Sequence, residues 1–290
     1  MFLLAACGGA ATTGGKLVTL RPICPAGQFW DATACKPRGD GAAKIAAGKK
    51  ALDDFKYDEA KAELDAAAHD GPLDHDANVT LWEQQGIRHA YVDEPAAART
   101  AFDMMLALDP GHLLSYKMSA KATDVFQEVR EAKSRIVPSL DVNWPRGQRV
   151  GDPVPLDVGV IADPKEFLRR ATLFVRARGE HAWRAADVAL RPPGSEARIV
   201  LPPVTGTKPT SLEVYLRAYD AGGNEVLAWA DPDRPREIPL RYDPPTPWYR
   251  KWWVIAIAGS VVAAGTGVSV YELSLAPPDK INGSATVGKK

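Results

Sequence analysis

The chain has no surplus of charge: 36 Lys and Arg offset 36 Asp and Glu across 290 residues. A domain that collects nucleic acid through its phosphates presents a basic field, and none exists here overall. Cysteine is scarce, with three in all, and no two of them stand at the spacing of zinc ribbons or thioredoxin-type redox sites. His69, Asp70, His75 and Asp76 fall within eight residues, yet a metal needs converging ligands and an irregular Gly-Pro loop gives no reason for convergence, so no metal is assigned. No G-x-S-x-G elbow, Walker A motif, Rossmann glycine signature or H-E-x-x-H pair occurs, which removes the hydrolase, nucleotide and zinc-protease chemistries that are legible in sequence. No catalytic residue and no cofactor is assigned, and the chain is not expected to be an enzyme.

What is present begins with the ends. Trp252 to Tyr271 runs twenty residues without a charge, the length needed to cross roughly 30 Å of hydrocarbon as a helix. Trp248, Tyr249, Trp252, Trp253 and Tyr271 flank it as interfacial aromatics do. The reading is a transmembrane helix over 248–272, with Gly259, Ala263 and Gly267 on one face as a route to a homodimer. At the other end Leu4-Ala5-Ala6-Cys7 resembles the lipobox of bacterial lipoproteins, which implies a signal remnant over 1–7 and lipidation at Cys7. Cys24 and Cys35 bracket a Pro/Gly-containing loop that the two thiols can close, so a linker over 8–41 with one disulfide is expected, in an oxidising compartment. Arg241, Arg250 and Lys251 before the span would by themselves keep the bulk of the chain cytoplasmic. The export signals are taken to prevail, which puts the bulk in the periplasm and 273–290 in the cytoplasm.

Residues 42–136 show an internal repeat. Gly48 and Gly86, Ala60 and Ala98, Leu64 and Phe102, and Pro72 and Pro110 are each 38 apart. With Tyr57 in the first copy and Trp82 in the second, this spacing resembles the tetratricopeptide repeat, a helix-turn-helix unit of about 34 residues. Small residues at the crossings let helices approach, and each proline stops its second helix. A further amphipathic segment over Ser119–Arg135 predicts a fifth helix capping the stack. The resemblance implies a groove for a partner protein lined by first helices, with Lys44, Gln85, His89 and Arg99 as its contact residues.

From Val137 to Asp243 short alternating runs punctuated by Pro and Gly predict seven or eight strands: 139–143, 154–161, 171–178, 182–188, 197–201, 212–219, 225–230 and 237–242. The pair around Asp220–Asn224 resembles the closing hairpin of immunoglobulin-like modules. The expected fold class is therefore multidomain α + β: a tetratricopeptide-like helical domain, an immunoglobulin-like sandwich over 137–243, and one C-terminal membrane helix. The order of parts resembles Gram-negative envelope proteins that combine such repeats with a β-module. This implies a non-catalytic envelope scaffold or adaptor that binds an envelope protein and membrane lipid but no nucleic acid. The alternatives are a periplasmic sensor and a cell-wall-processing enzyme.

Overall fold

Hydrophobic spacing builds the helices of the computed structural model, which describes residues 15–115, 118–131, 136–244, 247 and 250–252. In Gly41–Asp53 (α1), Ile45, Gly48, Ala51 and Leu52 form a buried stripe at helical spacing. Tyr57–His69 (α2), His75–Tyr91 (α3), Pro95–Leu108 (α4) and Ala120–Glu131 (α5) repeat the device. Asp74 caps α3 by accepting from the Ala77 N–H at 2.9 Å. Pro95 opens α4, where its missing N–H costs nothing. α1 pairs with α2 and α3 with α4. At the second crossing Gly86 leaves no room for a side chain, since a Cβ there would stand 2.5 Å from Phe102 Cε1.

Alternation builds the strands. Lys16–Leu17 (β1), Arg21–Pro22 (β2), Gln28–Trp30 (β3) and Cys35–Pro37 (β4) precede the helices. Ser139–Asn143 (β5), Val154–Ala162 (β6), Arg170–Ala177 (β7), Arg184–Ala189 (β8), Glu196–Leu201 (β9), Thr210–Tyr219 (β10), Glu225–Trp229 (β11) and Arg236–Leu240 (β12) follow them. One sheet runs β1-β9-β6-β5, a second runs β11-β10-β7-β8-β2, and β3 pairs with β4 alone. β12 and β11 share one edge of β10: Thr210 to Val214 pair with β12, and Leu216 to Tyr219 with β11. The two are halves of one edge strand, interrupted at 230–235.

The inward residues of both sheets, among them Leu156, Val158, Leu173, Val175, Leu212, Val214 and Leu216, join Phe102, Leu106 and Phe126 of the helices in one buried cluster. The chain through Tyr242 is one compact unit. Helix and sheet are also tied by polar contacts. The Leu73 N–H donates to Asn224 Oδ1 at 2.9 Å, the Glu225 N–H donates to the Leu73 carbonyl at 2.9 Å, and Asn78 Nδ2 donates to the Glu225 carbonyl at 3.2 Å.

This architecture corrects several expectations. In a tetratricopeptide array each pair touches only its neighbours and the first helices line an open groove. Here α3 packs against β11 as well as its helical neighbours, and Phe102, Leu106 and Phe126 share one buried cluster with the sheets, so the five described helices are one layer of a shared core and no helical-repeat domain stands apart. The expected succession of a repeat domain and an immunoglobulin-like sandwich fails for the same reason. Residues 15–22 supply an edge strand to each sheet, and the helices close on β11, so the strand region is not a self-contained module. Among the described residues no helix is long and apolar enough to cross a membrane. The longest, α3, has 17 residues and carries Glu83 and Arg88, whereas a span needs about 20 apolar ones. The expected inner-membrane helix, and the periplasmic placement between two anchors built on it, are therefore withdrawn. Residues 253–271 of that run, with Gly259, Ala263 and Gly267, lie outside the described residues, as do Cys7 and the signal remnant.

Candidate functional site

Three stretches distant in sequence meet on the outer face of the six-stranded sheet. β7 and β10 place Thr172, Phe174 and Tyr219 there, because residues two apart along a strand share a face. The first wall is the β3–β4 hairpin. Cys24 and Cys35 close it in a disulfide with Cα atoms 5.5 Å apart. Asp31 fastens its tip by accepting from the N–H groups of Thr33 and Ala34 at 2.9 Å each. Together with Lys36, these bonds hold the Asp31 carboxyl far below the usual carboxylate range. The second wall is the α2–α3 loop at Pro72 and Leu73, with the β10–β11 turn at Gly223 and Glu225. Asp220 shapes that turn by accepting from the Asn224 N–H at 2.8 Å, and Gly223 takes φ +86°, which suits only glycine without strain.

The cleft between these walls has a volume of about 210 Å³ and is lined by three arginines. Arg21 is committed: Nη2 and Nε reach Asp187 at 2.9 and 3.3 Å, and its guanidinium carbon lies 4.4 Å from the Trp30 ring centroid. Asp187 is further fixed by the Thr172 hydroxyl at 2.9 Å. Arg170 lies 5.3 Å over the Tyr219 ring. Its Nη2 would stand 2.9 Å from a Cβ on Gly223, so the glycine clears its position. Arg38 follows β4 at the mouth and is exposed. Neither Arg38 nor Arg170 forms an ion pair or a side-chain hydrogen bond within the described residues. Burial raises the Tyr219 phenol and the Glu225 carboxyl, and nearby arginines oppose it in both cases. Glu225 Oε1 is held 3.2 Å from Arg217 Nε.

The aromatic lining continues along the same face. Phe174 stacks on Tyr215 at 4.5 Å and 5°, Trp183 meets Tyr215 edge-on at 4.7 Å, and Arg176 lies 4.2 Å over Trp183. Burial pushes the Tyr215 phenol up to about 12. A wider depression of about 720 Å³ lies between Arg176 and the Pro202–Thr210 loop. Arg176 and Arg178 there are neutralised by Glu213 and Glu237. The cleft's own lining has no histidine, its one cysteine is oxidised, and its one hydroxyl of the Ser/Thr type is spent on Asp187. The arrangement suits recognition: cationic forks above aromatic faces.

The residues singled out in the sequence are held by partners of their own. Lys44 pairs with Asp70 at 2.9 Å, His89 contacts Glu94 at 2.5 Å, and Arg99 grips Glu128 with three bonds of 2.9 to 3.1 Å. Gln85 is half-buried on α3. Gly48 lies against Leu64, Tyr57 meets Tyr91 edge-on at 5.8 Å, and Phe102 meets Phe126 at 5.6 Å. Ala60 and Ala98 are buried, Trp82 is half-buried, and Pro110 follows α4. Pro72 alone of that set lines the cleft. His69, Asp70, His75 and Asp76 form no metal-holding group: among the described residues no three His, Cys, Asp or Glu side chains are so placed. Sequence reasoning missed Arg21, Trp30, Arg38, Arg170 and Tyr219. A signal existed in β7, where Arg170, Thr172, Phe174 and Arg176 alternate with Ala171, Leu173 and Val175.

No protein-family model matches the chain and no curated protein matches it. A cohesin module from a Clostridium perfringens family 33 glycoside hydrolase overlays 37% of this chain and 98% of its own, at 6% identity and a TM-score of 0.23. A likeness of that size assigns neither fold nor function, and it gives the expected tetratricopeptide and envelope-protein kinship no support.

Proposed function

We propose that the protein is a non-catalytic interaction module that receives a segment of a partner protein in the cleft beneath the disulfide-closed hairpin. The observation that carries this reading is the pair of guanidiniums without a carboxylate partner, Arg38 and Arg170, beside an aromatic floor. Arginine, tryptophan and tyrosine in a half-enclosed site are the residues that dominate protein interfaces. Pinning of Arg21 by Asp187 and stacking on Trp30 prepare the wall before any partner arrives, which reduces the ordering cost of binding. This reading keeps the adaptor role expected from sequence as a proposal and moves it from a helical groove to a sheet face.

The test is quantitative cross-linked capture from native lysate with the wild-type chain and the Arg38→Glu/Arg170→Glu double variant. Partners taken by the wild type and lost by the double variant support the reading. An identical set captured by both removes it.

A further inference from the structure

We propose that Arg38 and Arg170 form an oxyanion site that selects acidic peptide segments, in which a carboxylate sits beside an apolar side chain. This deepens the reading above and rests on it. Charge balance comes first. Arg21, Arg38 and Arg170 line the cleft with Glu225 as its only carboxylate. Asp187 neutralises Arg21, and Arg217 holds Glu225. Two cations are left without a carboxylate of their own. A guanidinium presents a planar fork that matches carboxylate oxygens, and such charge-assisted bonds are about twice as strong as neutral ones.

Size comes second. At about 210 Å³ the cleft is smaller than the roughly 300–1,000 Å³ of small-molecule and cofactor pockets, so it admits a side chain or two and not a nucleotide cofactor. Lining comes third. Phe174, Trp30 and Tyr219 offer apolar surface next to the guanidiniums, so the ligand needs an apolar group adjacent to its acid. Glutamate or aspartate next to leucine or phenylalanine meets this requirement on an extended backbone.

The experiment uses the full oxidised chain and fluorescence anisotropy of labelled hexapeptides. One peptide alternates glutamate with leucine, and a second replaces each glutamate by glutamine. Inorganic phosphate is added as a competitor. The acidic peptide is expected to bind, and to weaken as salt rises. The glutamine peptide is expected to bind about tenfold more weakly or worse, the equivalent of one lost charge-assisted contact. Arg38→Gln with Arg170→Gln is expected to lose about the same factor, and Arg146→Gln, an exposed arginine on the β5–β6 loop, to lose nothing.

Equal binding of the two peptides by the wild-type chain overturns the proposal without any variant. So does a double variant that melts as the wild type does and binds the acidic peptide undiminished. If the double variant melts early, Arg170→Lys replaces it: kept charge without the fork must still weaken binding, and undiminished binding again overturns the proposal. Phosphate binding with no peptide binding makes the cleft a small-anion site and refutes it. Capture that depends on Arg38 and Arg170 while neither peptide nor phosphate binds fells the oxyanion assignment alone. Capture indifferent to both arginines fells the cleft reading itself.

Discussion

The two faces of the six-stranded sheet obey different rules. Inward, Ala171, Leu173, Val175, Val214, Leu216 and Ala218 are small or branched, uncharged and buried. Outward, the same two strands carry Arg170, Thr172, Phe174 and Arg176 against Glu213, Tyr215, Arg217 and Tyr219, and three of the four facing pairs are ion pairs or ring contacts. Inward residues are interchangeable within volume limits, because burial rewards any apolar shape that fits. Outward residues are particular, because each guanidinium and ring needs one neighbour in one geometry. Stability resides mainly on the first face, and the proposed recognition uses the second.

That contrast breaks if inner-face truncation is mild. Leu216→Ala deletes a side chain with no exposed surface and is expected to destabilise the chain by about 2–5 kcal/mol in denaturant unfolding. Next in size is the bridge that covers the outer face. Cys24→Ser with Cys35→Ser opens a loop of sequence separation 11, worth about 3 kcal/mol in the chain-entropy model. Faster hydrogen exchange is expected at the amides of 28–38, with those of β7 and β10 unchanged. Exchange that accelerates equally in both places would make the hairpin part of the core and dissolve the distinction.

The third test uses pH. The Tyr215 phenol titrates higher folded than unfolded, so the folded chain keeps this proton as pH rises from about 10 to 12 while the unfolded chain loses it. Its contribution is full below pH 10 and is lost as pH climbs to 12, amounting to about 2–3 kcal/mol at roughly 1.4 kcal/mol per unit. Tyr215→Phe is expected to flatten the stability curve across that window, read by thermal melts against pH. The smallest effect is expected at Arg198, whose exposed guanidinium pairs with Asp157 at 2.6 and 2.8 Å, because water and salt screen such pairs. Arg198→Ala therefore moves the melting temperature by a few degrees at most.

How much of this was legible follows from which forces are local. Alternation located β5 to β12 to within a few residues because period-two burial is written in adjacent positions. The amphipathic run after Ser119 located α5 for the same reason. Assembly was not legible. Nothing near Arg21 announces Asp187, which lies 166 residues away, and nothing near Leu73 announces Asn224. The 38-residue periodicity was read as a free-standing array because the sequence cannot show that β11 closes against α3. The disulfide was legible through loop length and the paucity of other thiols. The cleft was not, since its arginines come from β2, the residue after β4, and β7, and only the fold brings them together.

One feature bears on how the chain is made. β1 and β2 precede the helices in the chain, yet Lys16 lies beside Ile199 and Arg21 beside Ala185, more than 160 positions later on the polypeptide. β1 and β2 thus cannot be placed until β9 and β8 have been made. Until β8 and β9 exist, both sheets lack an edge and the hairpin that walls the cleft has nothing to lean on. A chain interrupted before Glu225 would hold the five described helices and still lack part of the cleft's lining.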